Sequence, residues 1–170
     1  MIIIGIDSGK YGSIVELDIT AKICRFLPMP WREDGICPYS LIRRVIDFEG
    51  AAYIGFEKVQ TGPQFGGANF KFGAHYQAGL QLLEPYPYDS FTPQRWQSRM
   101  HGTKSKGDKR TAKDRSAAVF RRMNPHFSMK MNNKEIGEGM RDAFLIAYYT
   151  GLKNNVVMPT DFEFIRLSVD

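Results

Sequence analysis

The sequence lacks the features that usually identify disulfide-rich, zinc-binding, membrane-spanning and nucleotide-binding proteins. It has two cysteines, Cys24 and Cys37, which form neither a disulfide framework nor a CxxC metal site, so we expect reduced thiols in a cytoplasmic protein. No apolar run approaches the ~20 residues of a membrane span, and Met1 leads directly into a strand pattern instead of a signal peptide. The sequence also has no GxxxxGK[ST] loop, so we expect no nucleotide cofactor.

The composition is that of a soluble globular protein. Hydrophobic residues make up 43% and charged residues 24% of the 170 residues, which is enough apolar material for a substantial core. We find no internal repeat, low-complexity segment or domain boundary. The expectation is therefore one domain over residues 1–170.

The net charge of +5 is concentrated in one segment of the chain. Between Arg95 and Lys130 there are eleven Lys or Arg residues and two acidic residues, which gives this segment +9 and leaves −4 for the remainder. A basic segment on a mildly acidic body is typical of a protein that binds a polyanion. A solvated charged surface is the alternative.

The first twelve residues, MIIIGIDSGKYG, predict the central strand of the fold. A continuous β-branched run suits a strand with both faces buried, and the strand ends at Asp7 before a glycine turn. A carboxylate at the carboxyl end of a central strand lies where open α/β sheets place their chemistry. Alternatively, Asp7 only hydrogen bonds the turn.

A later strand, over residues 51–57, repeats this pattern and ends at Glu57. Because a helix separates it from the first strands, a parallel crossover beside the first strand is expected, and Glu57 then lies near Asp7. The elements predicted up to this point are strands 13–18 and 23–27 in an antiparallel meander, a helix over 38–48, and strand 51–57.

The remainder of the chain predicts one more strand and several helices. They are a glycine-rich loop over 58–68, a helix over 69–84, a strand over 85–91, a short helix from 92 to 96, a basic loop over 101–110, and helices over 111–123 and 137–151. Residues 152–170 have no pattern that assigns them. The predicted fold class is α/β, with a mixed five-stranded sheet flanked by helices.

The last strong helix carries Glu138 and Asp142 four residues apart, so the two acids share one face. The same helix is apolar nearly all round, and no Lys or Arg follows either acid at the i+4 position. A solvated acidic face is one interpretation. The other is that a cation relieves the repulsion between the two carboxylates.

Together, Asp7, Glu57, Glu138 and Asp142 are candidate metal ligands. Four carboxylates and only three histidines favour hard cations with oxygen ligands, Mg²⁺ or Mn²⁺, over zinc. Carboxylate clusters that bind two such ions hydrolyse phosphodiesters. A basic segment beside an acidic site suits a phosphate-backbone substrate, because Lys and Arg hold the flanking phosphates.

The order of these elements and five motifs resemble the RuvC-type Holliday-junction resolvases of the ribonuclease H-like superfamily, especially the phage-encoded branch. The motifs follow one another from Ile2 to Thr150: IIIGIDSGKYGSI; IGFEKV with the following glycine-rich loop and NFKFG; FTPQRW; KDRSAAVFRRMNP; and EGMRDAFLIAYY. The resemblance implies a homodimeric endonuclease that cuts paired strands of branched DNA and depends on Mg²⁺ or Mn²⁺, with two ions.

The resemblance also implies roles for individual residues. Asp7 and Glu57 look like the first two acids of such a site, and Asp142 looks like the helical acid that precedes alanine. Bacterial resolvases usually place a further acid or histidine three residues before that last acid, where this chain has Gly139. Phage relatives with an acid-Gly-x-x-acid pattern fit better, so Glu138 is the fourth candidate and Glu135 its alternative.

Basic and aromatic residues complete the resemblance. Lys113 matches the basic helper near the scissile phosphate, with Lys109 as its rival, and Phe65 in the glycine-rich loop is a candidate for stacking on an unpaired base. Phe70 and Phe72 on the following helix are candidates for a dimer interface. The candidate DNA contacts are Lys58, Phe65, Lys104, Lys106, Lys109, Arg110 and Arg115.

Two other functions remain open on the sequence. A ribonuclease H-like enzyme that cuts RNA–DNA hybrids has the same fold and the same acids. A non-catalytic module that binds branched DNA would have the basic segment, but it would not need the four carboxylates.

Overall fold

A computed structural model describes residues 1–33, 37–58, 68–103, 105–129 and 134–169, with the side chains of all of these except 68–72, 135 and 136. Within these ranges the strands are β1 (Ile2–Asp7), β2 (Ser13–Asp18), β3 (Ile23–Pro28), β4 (Ala51–Glu57), β5 (Asp89–Phe91) and β6 (Glu163–Arg166). The helices are α1 (Tyr39–Val45), α2 (Ala68–Leu83), α3 (Pro93–His101), α4 (Ala112–Met123) and α5 (Lys134–Lys153). No helix in these ranges is long and apolar enough to cross a bilayer.

The strands form one mixed sheet in the order β5-β4-β1-β2-β3-β6. β1, β2 and β3 form the expected antiparallel meander, and β4 pairs parallel to β1 with Gly5 opposite Gly55. β5 extends the parallel side beyond β4. The predicted α/β architecture and the central position of β1 are therefore confirmed.

The sheet has six strands, one more than the sequence pattern indicates. The additional strand, β6, comes from the segment after α5 and pairs parallel to β3. Asn124, a buried residue at the end of α4, holds this segment by accepting a hydrogen bond from the Phe162 backbone at 3.1 Å. The Phe162 ring packs edge-to-face against Phe144 of α5, and the Phe164 ring is tilted against the same side chain.

Three helices have different lengths from those predicted. α1 ends at Val45 because Ile46 adopts an extended conformation, and Ile46 is buried. α3 continues past Trp96 to His101, because Met100, four residues after Trp96, is buried on the same side of the helix; Gly102, with φ +67°, ends it. α5 extends from Lys134 to Lys153, beyond both ends of the predicted helix, and so also includes Glu135, the alternative to Glu138.

The sheet has a hydrophobic cluster on each face, and β1 contributes to both. Ile3 packs with residues of α3, α4 and α5, whereas Ile4 and Ile6 pack with residues of α1 and α2. All three isoleucines are fully buried. This alternation fixes the side of the sheet on which Asp7 lies, because side chains two residues apart share one face of a strand.

Candidate active site

Asp7 and Glu57 end two neighbouring parallel strands at the same edge of the sheet. Gly5 and Gly55 are register partners, and each lies two residues before one of the acids. The acids and the glycines therefore share the face of the sheet that is covered by α5. This Gly-x-acid pattern, GID in β1 and GFE in β4, is a sequence signal for the position of both carboxylates.

Glycines bring α5 into direct contact with this edge of the sheet. A Cβ on Gly5 would overlap the backbone oxygen of Ala143, and one on Gly139 would overlap the backbone oxygen of Tyr11. Gly139 also forms an isolated β-bridge with Gly12 in the turn after β1. The close approach places Asp142, three residues after Gly139, beside the end of β1.

The Asp7 carboxylate is part of the turn and part of the acidic cluster. Its Oδ1 accepts a hydrogen bond from the Gly9 backbone N–H at 3.0 Å, as the turn-capping interpretation requires. Burial raises the pKa of Asp7, and this rise is opposed by the Gly9 hydrogen bond and by the positive charge of Lys113. The half-buried Asp7 carboxylate therefore takes part in the turn and in the acidic cluster.

Glu57 and Asp142 have strongly raised pKa values. Burial, followed by the charge of Asp7, raises the pKa of Glu57 to about 8, and the same two causes raise the pKa of Asp142 to about 7. Asp142 also raises the pKa of Glu57. The three acids thus lie close enough to repel one another in a desolvated setting, which is a common arrangement at functional sites.

Each of these two acids has a hydrogen-bonding partner from another helix. The Trp96 indole Nε1 donates to Glu57 Oε1 at 2.8 Å, and the Ser116 side chain hydrogen bonds Asp142, which lowers its pKa. Asp142 Oδ1 is buried, and no described residue hydrogen bonds it. One carboxylate oxygen of the cluster is therefore desolvated and unsatisfied, a condition that proteins rarely tolerate without a function.

Glu138 belongs to a different environment from the other three acids. Its Oε2 accepts a hydrogen bond from Lys113 Nζ at 2.6 Å, and its Oε1 lies 3.9 Å from Lys134 Nζ. The hydrogen bond from Lys113 lowers the pKa of Glu138. The cation expected beside this acid is therefore supplied by the protein, through Lys113 of α4. The side chain of the alternative, Glu135, lies outside the described residues.

Lys113 is placed between Glu138 and the buried acids. While it donates to Glu138, its charge also lowers the pKa values of Asp7 and Asp142. Its side chain is 67% exposed, so the ammonium group faces solvent at the margin of the cluster. Lys109, its predicted rival, is exposed in the segment that precedes α4.

The candidate DNA-contacting residues have varied environments. Lys58, Lys106, Lys109 and Arg110 are exposed, and Arg115 is partly buried. Arg110 makes a two-point ion pair with Asp108, with both N–O distances 2.9 Å. Lys104 and Phe65, together with the side chains of Phe70 and Phe72, lie outside the described residues.

Three polar residues behind the acids are not apparent from the sequence pattern. The sequence indicates only that Trp96 packs in the core. It is fully buried, but its indole N–H also donates a hydrogen bond to Glu57. Ser116 and His101 are hydrogen-bonding partners at 3.0 Å, and they are contributed by different helices. The recurrence of apolar residues at Trp96 and Met100 indicates that α3 packs on the core, but it gives no sign of this polar contact.

The carboxylates fit a hard divalent cation whose coordination shell is completed by ligands from outside the protein. Among the described side chains no three His, Cys, Asp or Glu residues are close enough to hold one ion, so a closed, all-protein metal cage is not formed there. Mg²⁺ usually binds through one or two carboxylates together with waters and substrate phosphates. The unsatisfied Asp142 Oδ1 and the mutual repulsion of Asp7, Glu57 and Asp142 fit such an ion.

Comparisons with known proteins find similar structures and no similar sequence. No protein-family model and no curated protein matches the chain. A Thermus thermophilus RuvC structure matches over 94% of this chain and 99% of that chain, with a TM-score of 0.57 and 14% identity. T. thermophilus RuvC in complex with a Holliday junction substrate matches with the same coverage and identity and a TM-score of 0.58. The chain therefore has the ribonuclease H-like fold of RuvC.

Proposed function

We propose that the protein is a structure-selective DNA endonuclease that cuts four-way junctions or other branched DNA by metal-dependent hydrolysis of phosphodiester bonds. The observation that carries the proposal is the convergence of three half-buried acids from β1, β4 and α5. Asp7 raises the pKa values of Glu57 and Asp142, and Asp142 also raises that of Glu57. Support for branched DNA as substrate comes from the similar fold of a RuvC that is described in complex with a Holliday junction.

The cofactor in this proposal is Mg²⁺ or Mn²⁺, with two ions. Asp7, Glu57 and Asp142 would hold the two ions between them, with water and substrate phosphates completing the coordination. Glu138 would join them when its contact with Lys113 is exchanged for one with the metal. When bound, such ions activate water and stabilise the leaving oxygen of a phosphodiester. The raised pKa values of Glu57 and Asp142 mean that cation binding and proton release are coupled.

The basic residues would hold the substrate beside the acids. Lys113 is the only one that we place next to the scissile phosphate, because its ammonium group lies within electrostatic range of Asp7 and Asp142. The others would hold flanking phosphates without reading the bases. They are Lys58, Lys104, Lys106, Lys109, Arg110 and Arg115, and Phe65 would stack on an unpaired base.

The proposal includes a homodimer, because symmetric cutting of a four-way junction needs two sites. The phage-encoded branch of the family, acting in the bacterial cytoplasm, fits the acid-Gly-x-x-acid pattern of Glu138 and Asp142. α2 is the proposed dimer surface, on the basis of its apolar, glycine-containing sequence.

The test is incubation of the protein with a four-way junction, an RNA–DNA hybrid and a linear duplex, each with Mg²⁺ and with EDTA. Paired nicks in the junction that require Mg²⁺ are the expected result. Faster cutting of the hybrid would assign the activity to ribonuclease H-like cleavage, and binding without cutting would assign a non-catalytic module.

The matched variants are Asp7→Asn and Asp161→Asn. Asp7→Asn should abolish cutting and retain junction binding, because it removes a proposed metal ligand and leaves the basic surface intact. Asp161 is exposed and follows α5, so the same chemical change there should leave both properties unaltered. Near-normal cutting by Asp7→Asn would contradict the assignment of the site.

A further inference from the structure

A pair formed by half-buried His101 and buried Ser116 lies behind Asp142. His101 Nε2, at the end of α3, is 3.0 Å from the Oγ of Ser116 in α4. Ser116 is 2% exposed, and its hydroxyl lies close enough to the Asp142 carboxyl group in α5 to lower its pKa as a hydrogen-bonding group. A polar connection therefore runs from α3 through α4 to the acid on α5.

The direction of the hydrogen bonds in this connection follows from the surroundings of His101. The other ring nitrogen, Nδ1, is buried and has no hydrogen-bond partner among the described residues. An unpaired buried N–H is rarer than an unpaired buried acceptor, so a neutral ring carries its hydrogen on Nε2 and donates it to Ser116. The single hydroxyl hydrogen of Ser116 is then directed to Asp142.

Burial, followed by the charge of Arg115, lowers the pKa of His101 and so favours the neutral ring. The ring is also held in place by Trp96, which meets it edge-to-face with centroids 5.7 Å apart. Trp96 in turn donates to Glu57. One face of α3 thus supports Glu57 directly and Asp142 through Ser116, so the two acids are oriented by the same short helix.

We propose that His101 is a positioning residue that acts through Ser116 to fix the side-chain orientation of Asp142 and so strengthens divalent-cation binding. This inference rests on the proposed function, since it concerns the same carboxylates. The physical reason is that a ligand held in one rotamer loses less conformational freedom when the cation binds. Outer-shell partners of metal ligands generally contribute 10–100-fold in affinity.

The test measures Mn²⁺ binding without DNA, by titrating the protein with Mn²⁺ and following the electron paramagnetic resonance signal of the free ion. His101→Leu and Ser116→Ala should each weaken binding about ten-fold. His101→Gln, which keeps an N–H donor at a similar distance from the backbone, should retain most of the affinity. The exposed His126, in a loop after α4, provides the matched control, and His126→Leu should bind as wild type does.

The double variant His101→Leu/Ser116→Ala distinguishes a role through Ser116 from general damage. If His101 acts through Ser116, the double variant should bind Mn²⁺ no more weakly than Ser116→Ala alone, because coupled residues are not additive. The inference would be overturned if the losses of Mn²⁺ affinity in the two single variants multiplied in the double variant. It would also be overturned if His101→Gln bound Mn²⁺ as weakly as His101→Leu. A urea unfolding curve for each variant verifies that the protein titrated is folded.

The two proposals fail in different ways. Wild-type protein that does not bind Mn²⁺ would overturn the metal-dependent function and the role of His101 with it. Wild-type binding that is unchanged in both His101→Leu and Ser116→Ala would overturn the role of His101 alone.

Discussion

Replacement of Glu57 by glutamine should make the metal-free protein more stable at alkaline pH. Glu57 is half-buried, and desolvation is the largest cause that raises its pKa to about 8 in the folded protein from an ordinary value of 4.5. Between these two pH values the folded protein holds a proton that the unfolded chain has released. The free energy of unfolding must therefore fall as the pH rises through this window.

The size of the effect follows from the two pKa values. Proton linkage makes the destabilisation by Glu57 about 1 kcal/mol at pH 5 and about 4 kcal/mol at pH 8. The glutamine side chain does not ionise, and its amide oxygen accepts the Trp96 hydrogen bond that Glu57 accepts at 2.8 Å. The variant should thus gain about 3 kcal/mol over wild type between pH 5 and pH 8, equivalent to about 6 to 12 °C in melting temperature.

The assay is thermal unfolding of both proteins in EDTA from pH 5 to pH 8. The wild-type curve should fall steeply with pH, whereas the Glu57→Gln curve should retain the shallower slope that belongs to Asp142, whose pKa is about 7, and to Asp7, whose pKa is also raised. Glu84→Gln, at an exposed position after α2, makes the same chemical change outside the cluster. Its curve should follow that of wild type.

Parallel curves for wild type and Glu57→Gln would refute the reasoning, because they would mean that Glu57 ionises as readily as a solvated carboxyl group. Addition of Mg²⁺ gives a second comparison with the same proteins. It should raise the wild-type melting temperature more at pH 8 than at pH 5, since the cation competes with the bound proton. Glu57→Gln should show a smaller gain.

Further changes test the basic residues and the helix contact. Lys113→Ala should slow junction cutting more than it weakens junction binding, and it should also return the pKa of Glu138 toward its usual value, as a carboxyl titration by NMR would show. Lys106→Ala should mainly weaken binding and reduce its salt dependence; equal effects of the two changes on cutting would identify Lys113 as an ordinary phosphate contact. Gly5→Ala should lower the unfolding free energy by about 1–3 kcal/mol, the usual cost of overpacking, and slow cutting, because the added Cβ meets the backbone of Ala143 in α5. An unfolding midpoint like that of wild type would contradict the close contact between β1 and α5.

The sequence predicts those parts of the fold that depend on local patterns of apolar and polar residues. The meander of β1 to β3 and the parallel crossover to β4 need only strand alternation and short connections, and both are confirmed. Pairing of those strands also places Asp7 and Glu57 at one edge. β6 is different, because four residues at 163–166 acquire their position from β3 and from the packing of Phe162 and Phe164, which no local pattern encodes.

The polar surroundings of the acids also depend on contacts between distant segments. Ser116 and His101 are fifteen residues apart, and they meet Asp142 only because α3, α4 and α5 pack together. The interpretation of Glu138 and Asp142 as a solvated acidic face does not agree with the structure, and the reason is again a contact with another helix. Lys113 of α4 pairs with Glu138, and one oxygen of Asp142 is buried.

The two ends of the sheet constrain how copies of the protein can associate. β5 has three residues and β6 has four, so each outer strand offers only a few backbone groups for pairing with another chain. Short edges of this kind disfavour the joining of sheets between molecules. A two-fold pair would therefore be assembled from helical surfaces. The two sheets would stay separate, and the acids at the ends of β1 and β4 in each copy would stay open to a DNA strand.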